Sequence, residues 1–142
     1  MPTTAQELLT ILTADAHLTE AQADAIRLES LNTGTPIESL LSKRQLVPDA
    51  ILIQARAKAL NIPFVTLEGK AISPDVVEFI PEPVARRYVL IPFVFDEPTK
   101  MLSVAMQDPL DFQVIEFLEK KSGKTIKPFM ATSEDIIAHI NE

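Results

Sequence analysis

Residues 84–112 read VARRYVLIPFVFDEPTKMLSVAMQDPLDF, and this stretch decides the fold. Residues 89–95 are apolar throughout and rich in β-branched and aromatic types, which predicts a buried strand rather than a helix. Residues 96–100 are polar and suit a tight connection. Residues 101–106 then alternate, with Leu102, Val104 and Met106 on one face, which is typical of a half-buried strand. The stretch therefore predicts two consecutive strands.

Three residues in and after this strand pair predict local features. Pro92 cannot donate a hydrogen bond to a neighbouring strand, so the first strand is expected at a sheet edge or with a bulge at that position. Asp108 is a good helix N-cap, and Pro109 suits a first helical position. We therefore expect a helix to begin directly after Asp108.

The overall composition excludes several classes of protein. The chain has 142 residues, 46% of them hydrophobic, so it can build a core and is not expected to be globally disordered. It has no apolar run long enough to span a membrane, no signal-peptide layout and no cysteine. Its 20 acidic and 13 basic residues give a net charge of −7, which argues against nucleic-acid binding and against direct contact with an anionic membrane. We expect a cytoplasmic protein without disulfides or thiolate zinc sites.

The first 60 residues predict four helices. Capping boxes begin at Thr4, Thr19 and Thr35, and Pro48 opens the fourth helix. On the second helix the predicted apolar stripe is Ala21, Ala25 and Leu28, with Ile26 and Leu31 beside it. Gly34 suits the end of this helix. A shift of 28 positions pairs Leu12 with Leu40 and Leu18 with Leu46, which suggests two repeated helical hairpins.

The rest of the chain predicts a mixture of helices and strands. A short strand at residues 64–67 precedes two short helices, the central strand pair, an amphipathic helix, a strand at residues 125–130 and a last helix capped by Thr132 or Ser133. The apolar stripe of the amphipathic helix is Leu110, Val114, Phe117 and Leu118. The predicted fold is α+β: a four-helix lobe of two hairpins at residues 1–60, then a small α/β sandwich at 61–142 with a three- to four-stranded sheet.

The sequence shows no catalytic, metal-binding or cofactor-binding constellation. Gly123-Lys124-Thr125 resembles the end of a P-loop, but Leu118 stands where the motif needs its first glycine, and the order is helix–loop–strand. A glycine cap followed by a strand is the favoured interpretation. His17 and His139 lack metal-type partners at helical spacing, so each is expected to have a surface or capping role.

Arg86 and Arg87 are the candidate partner-binding residues. They close a helix just before the central strand, and arginine is suited to recognising carboxylates and phosphates. The alternative interpretation is a structural one, in which the two cations complement the helix dipole and form a surface ion pair.

Four segments resemble the N-terminal domain of the type II secretion and type IV pilus assembly ATPases. They are NIPFVTL at 61–67, IPEPVARRY at 80–88, LSVAMQDPLD at 102–111 and TSEDI at 132–136. The resemblance covers nearly the whole chain and is strongest from Leu60 onward.

This resemblance implies a non-catalytic docking and regulatory domain. In such motors the ATPase core lies C-terminal to the domain, and residues 1–142 contain no P-loop. The chain is thus expected to be an excised domain or a short relative. The implied partners are platform proteins of the pilus or secretion system and the ATPase core of the same motor. The implied location is cytoplasmic, peripheral to the inner membrane through these partners.

An alternative from the same family is a cyclic di-GMP sensor. Some members bind this nucleotide through two repeated motifs that begin Arg-Leu-Gly and carry a turn glycine. Here Glu7-Leu8-Leu9 and Thr35-Pro36-Ile37 align with the starts, and Ala16 and Arg44 with the turn glycines. Only the apolar anchors Leu12, Leu18, Leu40 and Leu46 match, and Glu7 would repel a dianionic ligand. Binding of cyclic di-GMP is therefore not expected, and an independent enzyme is expected still less.

Overall fold

The structure is a computed structural model that describes residues 4–141. These residues form eight helices and three strands, so the predicted α+β class is confirmed. The chain divides into two compact units between Asn61 and Ile62. We call the first the helical unit and the second the sheet unit.

The helical unit contains four helices around one leucine-rich core. They are α1 (Thr4–Ala14), α2 (Glu20–Thr33), α3 (Ile37–Lys43) and α4 (Asp49–Ala59). Helix α1 packs against α4 and α2, and α2 packs against α3. Leu9, Leu12 and Leu41 are fully buried at the centre of this core. The side chain of Thr4, predicted to cap α1, lies outside the described part of the chain.

The two helix–turn–helix segments repeat with a spacing of 29 residues rather than the predicted 28. The hydrogen bond from the Ala16 N–H to the Thr13 carbonyl recurs between Gln45 and Ser42, and the bond from His17 to Leu12 recurs between Leu46 and Leu41. Ala16 and Gln45 both have positive φ, at 63° and 52°. The predicted register was one residue short because leucines occupy neighbouring positions, and hydrophobicity alone does not separate Leu40 from Leu41.

Helix α2 confirms the predicted ends but not the predicted face. Thr19 and Gln22 form the full capping box, and Gly34 ends the helix with φ 74°. The predicted stripe Ala21, Ala25 and Leu28 is exposed, and so is Leu31 beside it. Ile26, also predicted beside the stripe, is buried, together with Ala23. The cap predicted at Thr35 is also wrong, because Pro36 occupies the N-cap position of α3 without a side-chain hydrogen bond.

The sheet unit contains four helices and three strands. In chain order they are α5 (Pro74–Val77), α6 (Glu82–Tyr88), β1 (Leu90–Asp96), β2 (Met101–Met106), α7 (Phe112–Ser122), β3 (Thr125–Met130) and α8 (Ser133–Ile140). The sheet order is β1-β2-β3, with β1 and β2 antiparallel and β2 and β3 parallel. The predicted strand at residues 64–67 is reduced to one bridge, Phe64 to Met130, so the sheet has three strands.

Strand β2 lies at the centre of the sheet and is covered on both faces. Leu102, Val104 and Met106 are buried on one side, in a core with residues of α6 and α7. Ala105 is buried on the other side with Ile91 and Ile136. The strand was predicted to be half-buried. At Ala105, however, α8 and the segment before α5 also cover the second face.

Pro92 lies on an edge strand beside a bulge, so both predicted alternatives hold at once. The Val89 carbonyl accepts a hydrogen bond from Gln107, and the pairing continues as Ile91 with Ala105 and Pro92 with Val104. Because hydrogen-bonded and non-hydrogen-bonded pairs alternate in an antiparallel ladder, Pro92 falls in a non-hydrogen-bonded pair. Its missing N–H therefore costs the sheet no hydrogen bond, and the outer edge of β1 is closed to a further strand there.

Helix α7 begins three residues later than predicted. Asp111 is its N-cap, accepting a hydrogen bond from the Val114 N–H. Asp108 instead accepts from Leu110 within the preceding turn. As a result Leu110 lies outside the helix, and only Val114 and Leu118 of the predicted stripe are buried; Leu110 and Phe117 are exposed.

Candidate functional site

Arg86 is held between two elements of the sheet unit. Its guanidinium donates to the Glu82 carboxylate at 3.0 Å, one turn earlier in α6, and to the Asn141 side-chain oxygen at 2.8 Å, just after α8. The side chains of Arg86 and Glu82 are about half exposed or more. Arg86 therefore links the end of α8 to α6 through one terminal nitrogen of its guanidinium.

Arg87 is exposed and has a different environment. Its guanidinium lies over the ring of Tyr88, with 5.4 Å from the guanidinium carbon to the ring centroid. Among residues 4–141 it has no carboxylate partner within ion-pair distance. Of the two predicted partner-binding residues, Arg87 is thus the one without a hydrogen bond or ion pair to another side chain among residues 4–141. The N–H groups of arginine suit an acidic group of a partner.

A groove of about 350 Å³ lies beside Arg86 in the sheet unit. Its apolar lining comes from α5, the α5–α6 connection, α6, the start of β1 and the end of α8: Val77, Ile80, Pro81, Ala85, Ile91, Pro92 and Ile140. Two carboxylates, Glu78 and Glu82, contribute the acidic lining. We call this feature the α5–α6 groove.

The two acids of the α5–α6 groove differ in their contacts. Glu82 is paired with Arg86, as described above. Glu78 is exposed, and within the described part of the chain it has no side-chain hydrogen bond or ion pair. The groove thus offers an apolar floor with one carboxylate that no cation neutralises.

The segment Gly123-Lys124-Thr125 has the structure of a helix end followed by a strand. Gly123 has φ 70°, and its N–H donates to the Glu119 carbonyl at 2.9 Å. The Lys124 ammonium lies 4.3 Å from the ring centroid of Phe79 and donates to the Ser122 carbonyl at 3.2 Å. The interpretation as a glycine cap is therefore confirmed, and Lys124 has a structural partner.

His139 is more buried than a surface residue, since its side chain is only 9% exposed. Its Nδ1 lies 2.8 Å from the Asp135 carbonyl oxygen and 3.4 Å from the Asp135 carboxylate. Asp135 also accepts a hydrogen bond from the Leu67 N–H at 2.7 Å. Of the expected surface or capping role, the surface alternative is wrong for His139, whose ring packs in the last turn of α8 and contacts a backbone carbonyl of that helix.

The positions aligned with the nucleotide motifs are partly occupied by internal contacts. The Arg44 guanidinium binds the Glu29 carboxylate through two nitrogens, Nε at 3.3 Å from Oε2 and the second nitrogen in closer contact with Oε1. By the 29-residue spacing, the residue equivalent to Ala16 is Gln45 rather than Arg44. Leu12, Leu18 and Leu40 are buried core residues, so their match to the motif is explained by packing.

Groups of three or more histidine, cysteine or acidic side chains that could hold a metal ion do not occur in residues 4–141. In the same range, no helix is both long enough and apolar enough to cross a bilayer. The described side chains also leave no buried nitrogen or oxygen without a hydrogen-bond partner.

The described residues form a small α+β domain, and sequence comparison gives its family. Residues 60–142 match the MshEN domain. The chain belongs to the MshEN domain family, and the predicted relation to the N-terminal domains of pilus and secretion ATPases is confirmed.

Two relatives found by sequence are type IV pilus assembly ATPases named PilB. The protein from Myxococcus xanthus is 26% identical over 108 residues, and the one from Thermus thermophilus is 28% identical over 99 residues. The matched regions cover 76% and 70% of this chain but only 19% and 11% of those proteins. The chain therefore corresponds to a small part of each relative.

Solved structures with the same fold include a structure of MshE with cdg and the N-terminal domain of XpsE. The MshE structure has a TM-score of 0.71 and 22% identity, and covers 94% of this chain and 96% of that one. The XpsE domain has a TM-score of 0.62 and 15% identity, and covers 99% of this chain and 96% of that one. At these identities the likeness establishes the fold.

Sequence reasoning predicted Arg86 and Arg87 as partner-binding residues but did not predict the α5–α6 groove. The groove is built from residues between Val77 and Ile140, which are far apart along the chain. Each taken alone looks like an ordinary core or helix residue. The one available signal was Glu78, an acid at the end of a short helix with no cation at helical spacing.

Proposed function

We propose that this chain is a non-catalytic docking and regulatory domain of a type IV pilus or type II secretion assembly ATPase. In this role it couples the motor to platform proteins at the inner membrane, on the cytoplasmic side. The observation that supports the proposal most is the MshEN match over residues 60–142, together with sequence relatives that are pilus assembly ATPases. The surface of the sheet unit adds exposed Arg87 and the α5–α6 groove as places where a partner could bind.

Direct binding measurements test this role. The chain is immobilised, and the purified cytoplasmic domains of the platform proteins, and the ATPase core, are passed over it one at a time. We expect at least one of them to bind saturably. If none binds, docking is excluded as the role of this domain.

The non-catalytic part of the proposal has its own test. The chain alone, purified to homogeneity, is incubated with ATP and magnesium, and phosphate release is followed. We expect no release above the buffer rate. Turnover that persists through a further purification step would show that the chain is an enzyme.

Cyclic di-GMP sensing is the second candidate, and one observation favours it. The likeness to MshE, solved with cdg, extends over 94% of this chain and so includes the helical unit. Within that unit the two turns around Ala16 and Gln45 have the same backbone geometry. This support was absent from the sequence alone, where the loss of the motif residues argued against binding.

Calorimetry with cyclic di-GMP decides this candidate. Heat of binding that saturates would establish the sensor, and its absence at high micromolar ligand would exclude it. A Glu7→Arg variant is the matched comparison, because it replaces a carboxylate that repels a dianion with the residue type that begins the family motif. If the aligned position contacts the nucleotide, this variant binds more tightly than the unchanged chain.

A further inference from the structure

We infer that the α5–α6 groove is the docking site for a partner segment that presents a bulky apolar side chain flanked by lysine or arginine. This inference rests on the proposed docking function and adds to it a location and a ligand chemistry. The groove has a volume of about 350 Å³, which lies at the small end of the range for binding pockets. A space of this size suits a few side chains of a peptide segment better than a folded domain.

The apolar part of the groove supplies the anchor. Ile80, Ala85 and Ile91 are buried and form a floor that is fixed by the core of the sheet unit. Val77 is exposed at the opening. In protein interfaces most of the binding free energy comes from a few apolar anchors that enter such preformed, well-packed pockets. The lining therefore selects a segment with a large apolar side chain.

The charge of the groove selects the residues around the anchor. Glu78 has no cationic partner in residues 4–141, whereas Glu82 is paired with Arg86. A carboxylate beside an apolar surface attracts an incoming lysine or arginine and repels an incoming acidic side chain. The net charge of −7 acts in the same direction by attracting basic segments before contact.

The backbone at the groove excludes one common way of binding. Pro92 lies in the lining and has no N–H to offer to an added strand. A partner segment therefore does not extend the sheet at this point, and binding depends on side chains. Because binding depends on side chains, single substitutions in the groove should change the affinity.

The test compares four single variants of the full chain. Glu78→Lys reverses the unpaired charge, and its control is Glu68→Lys, another exposed glutamate of the sheet unit without a side-chain partner among the described residues. Val77→Ser removes the apolar lip, and its control is Val94→Ser, an exposed valine outside the groove. Circular dichroism first checks that all four variants fold.

The probes are the cytoplasmic domains of the platform proteins and a tiled array of peptides covering them. We expect the bound peptides to carry an apolar residue between basic residues. Glu78→Lys and Val77→Ser should each weaken binding by about tenfold or more, and the two controls should change it little. Exchanging the basic residues of a bound peptide for glutamate should restore binding to Glu78→Lys.

The outcomes separate this inference from the proposed function. If a platform protein binds the unchanged chain and the two groove variants equally, the docking function is supported, but the α5–α6 groove is excluded as the docking site. If no platform protein and no peptide binds, both fail. Binding only of acidic peptides, or a dimer of this chain that Val77→Ser abolishes, would also overturn the inference, because the occupant would then be a different one.

Discussion

The carboxylate of Asp135 accepts a hydrogen bond from the backbone N–H of Leu67 at 2.7 Å, across 68 positions of the chain. Asp135 lies in the first turn of α8, where its own N–H is capped by Thr132. Leu67 is fully buried, and its segment pairs with β3 only near Pro63, Phe64 and Val65. The contact thus fixes the segment before α5 against α8, where β-sheet pairing has already ended.

Replacing Asp135 with alanine should destabilise the sheet unit by about 1.5–3 kcal/mol, because a charged acceptor is lost and a buried N–H is left without a partner. Urea denaturation gives this free energy of unfolding. Hydrogen exchange of the Leu67 amide gives a local readout, since its protection should fall first. Glu134→Ala is the control, as Glu134 is exposed in the same turn. Unchanged Leu67 protection in Asp135→Ala would contradict this role.

The Thr19–Gln22 capping box should contribute measurably to the stability of the helical unit. The Thr19 hydroxyl accepts from the Gln22 N–H at 3.1 Å, and the Gln22 side chain accepts from the Thr19 N–H at 2.9 Å. Thr19→Ala removes the first of these and should lower the unfolding free energy by about 1 kcal/mol. Thr66→Ala, at an exposed position outside any helix, should have little effect in the same denaturation experiment.

Neighbouring residues of α7 should respond very differently to truncation. Leu118 is 2% exposed, whereas Phe117 is 46% exposed and lies near the Lys121 ammonium. Leu118→Ala should cost about 2–5 kcal/mol, because it leaves a cavity in the core between α7 and the sheet. Phe117→Ala should cost less than about 1 kcal/mol. Equal losses for both variants, measured by urea denaturation, would mean that the helix faces are assigned wrongly.

The central strands were predictable because their own residues carry enough information. Residues 101–106 and 125–130 were predicted as strands, and both ranges are found unchanged in β2 and β3. β-branched and apolar residues at alternate positions, bounded by turn residues, suit one secondary structure and one register. The strand at residues 64–67 has similar composition, but sheet pairing needs a neighbour, and only Phe64 forms a bridge with β3.

The errors in predicting helix faces and helix ends occurred where two local conformations have similar free energy. On α2, the set Ala21, Ala25 and Leu28 and the set Ala23 and Ile26 each suit a helical face, and alanine adds too little apolar area to decide between them. At α7, Asp108 and Asp111 can both cap a helix, and the turn at Pro109 and Leu110 selects the later one. The α5–α6 groove is a third case, since it exists only after distant elements pack.

The repeated turns of the helical unit give a prediction that sequence alone would have placed at the wrong residue. Ala16 and Gln45 have φ values of 63° and 52°, a region that costs a residue with a Cβ about 1 kcal/mol and costs glycine almost nothing. The sequence-based spacing of 28 pointed to Arg44, but Arg44 has ordinary αR geometry at the end of α3. The observed spacing of 29 points to Gln45.

Ala16→Gly and Gln45→Gly should therefore each raise the unfolding free energy of the helical unit by about 0.5–1 kcal/mol, measured by urea denaturation. This is the opposite of the usual effect of glycine, so the control is Ala25→Gly in the middle of α2, which should lower it by about 1 kcal/mol. Arg44→Gly should also lower it, because it removes the contact with Glu29 and gains nothing at the backbone. If Arg44→Gly raised the unfolding free energy and Gln45→Gly lowered it, the 28-residue spacing would be supported. That result would contradict the turn geometry described for both hairpins.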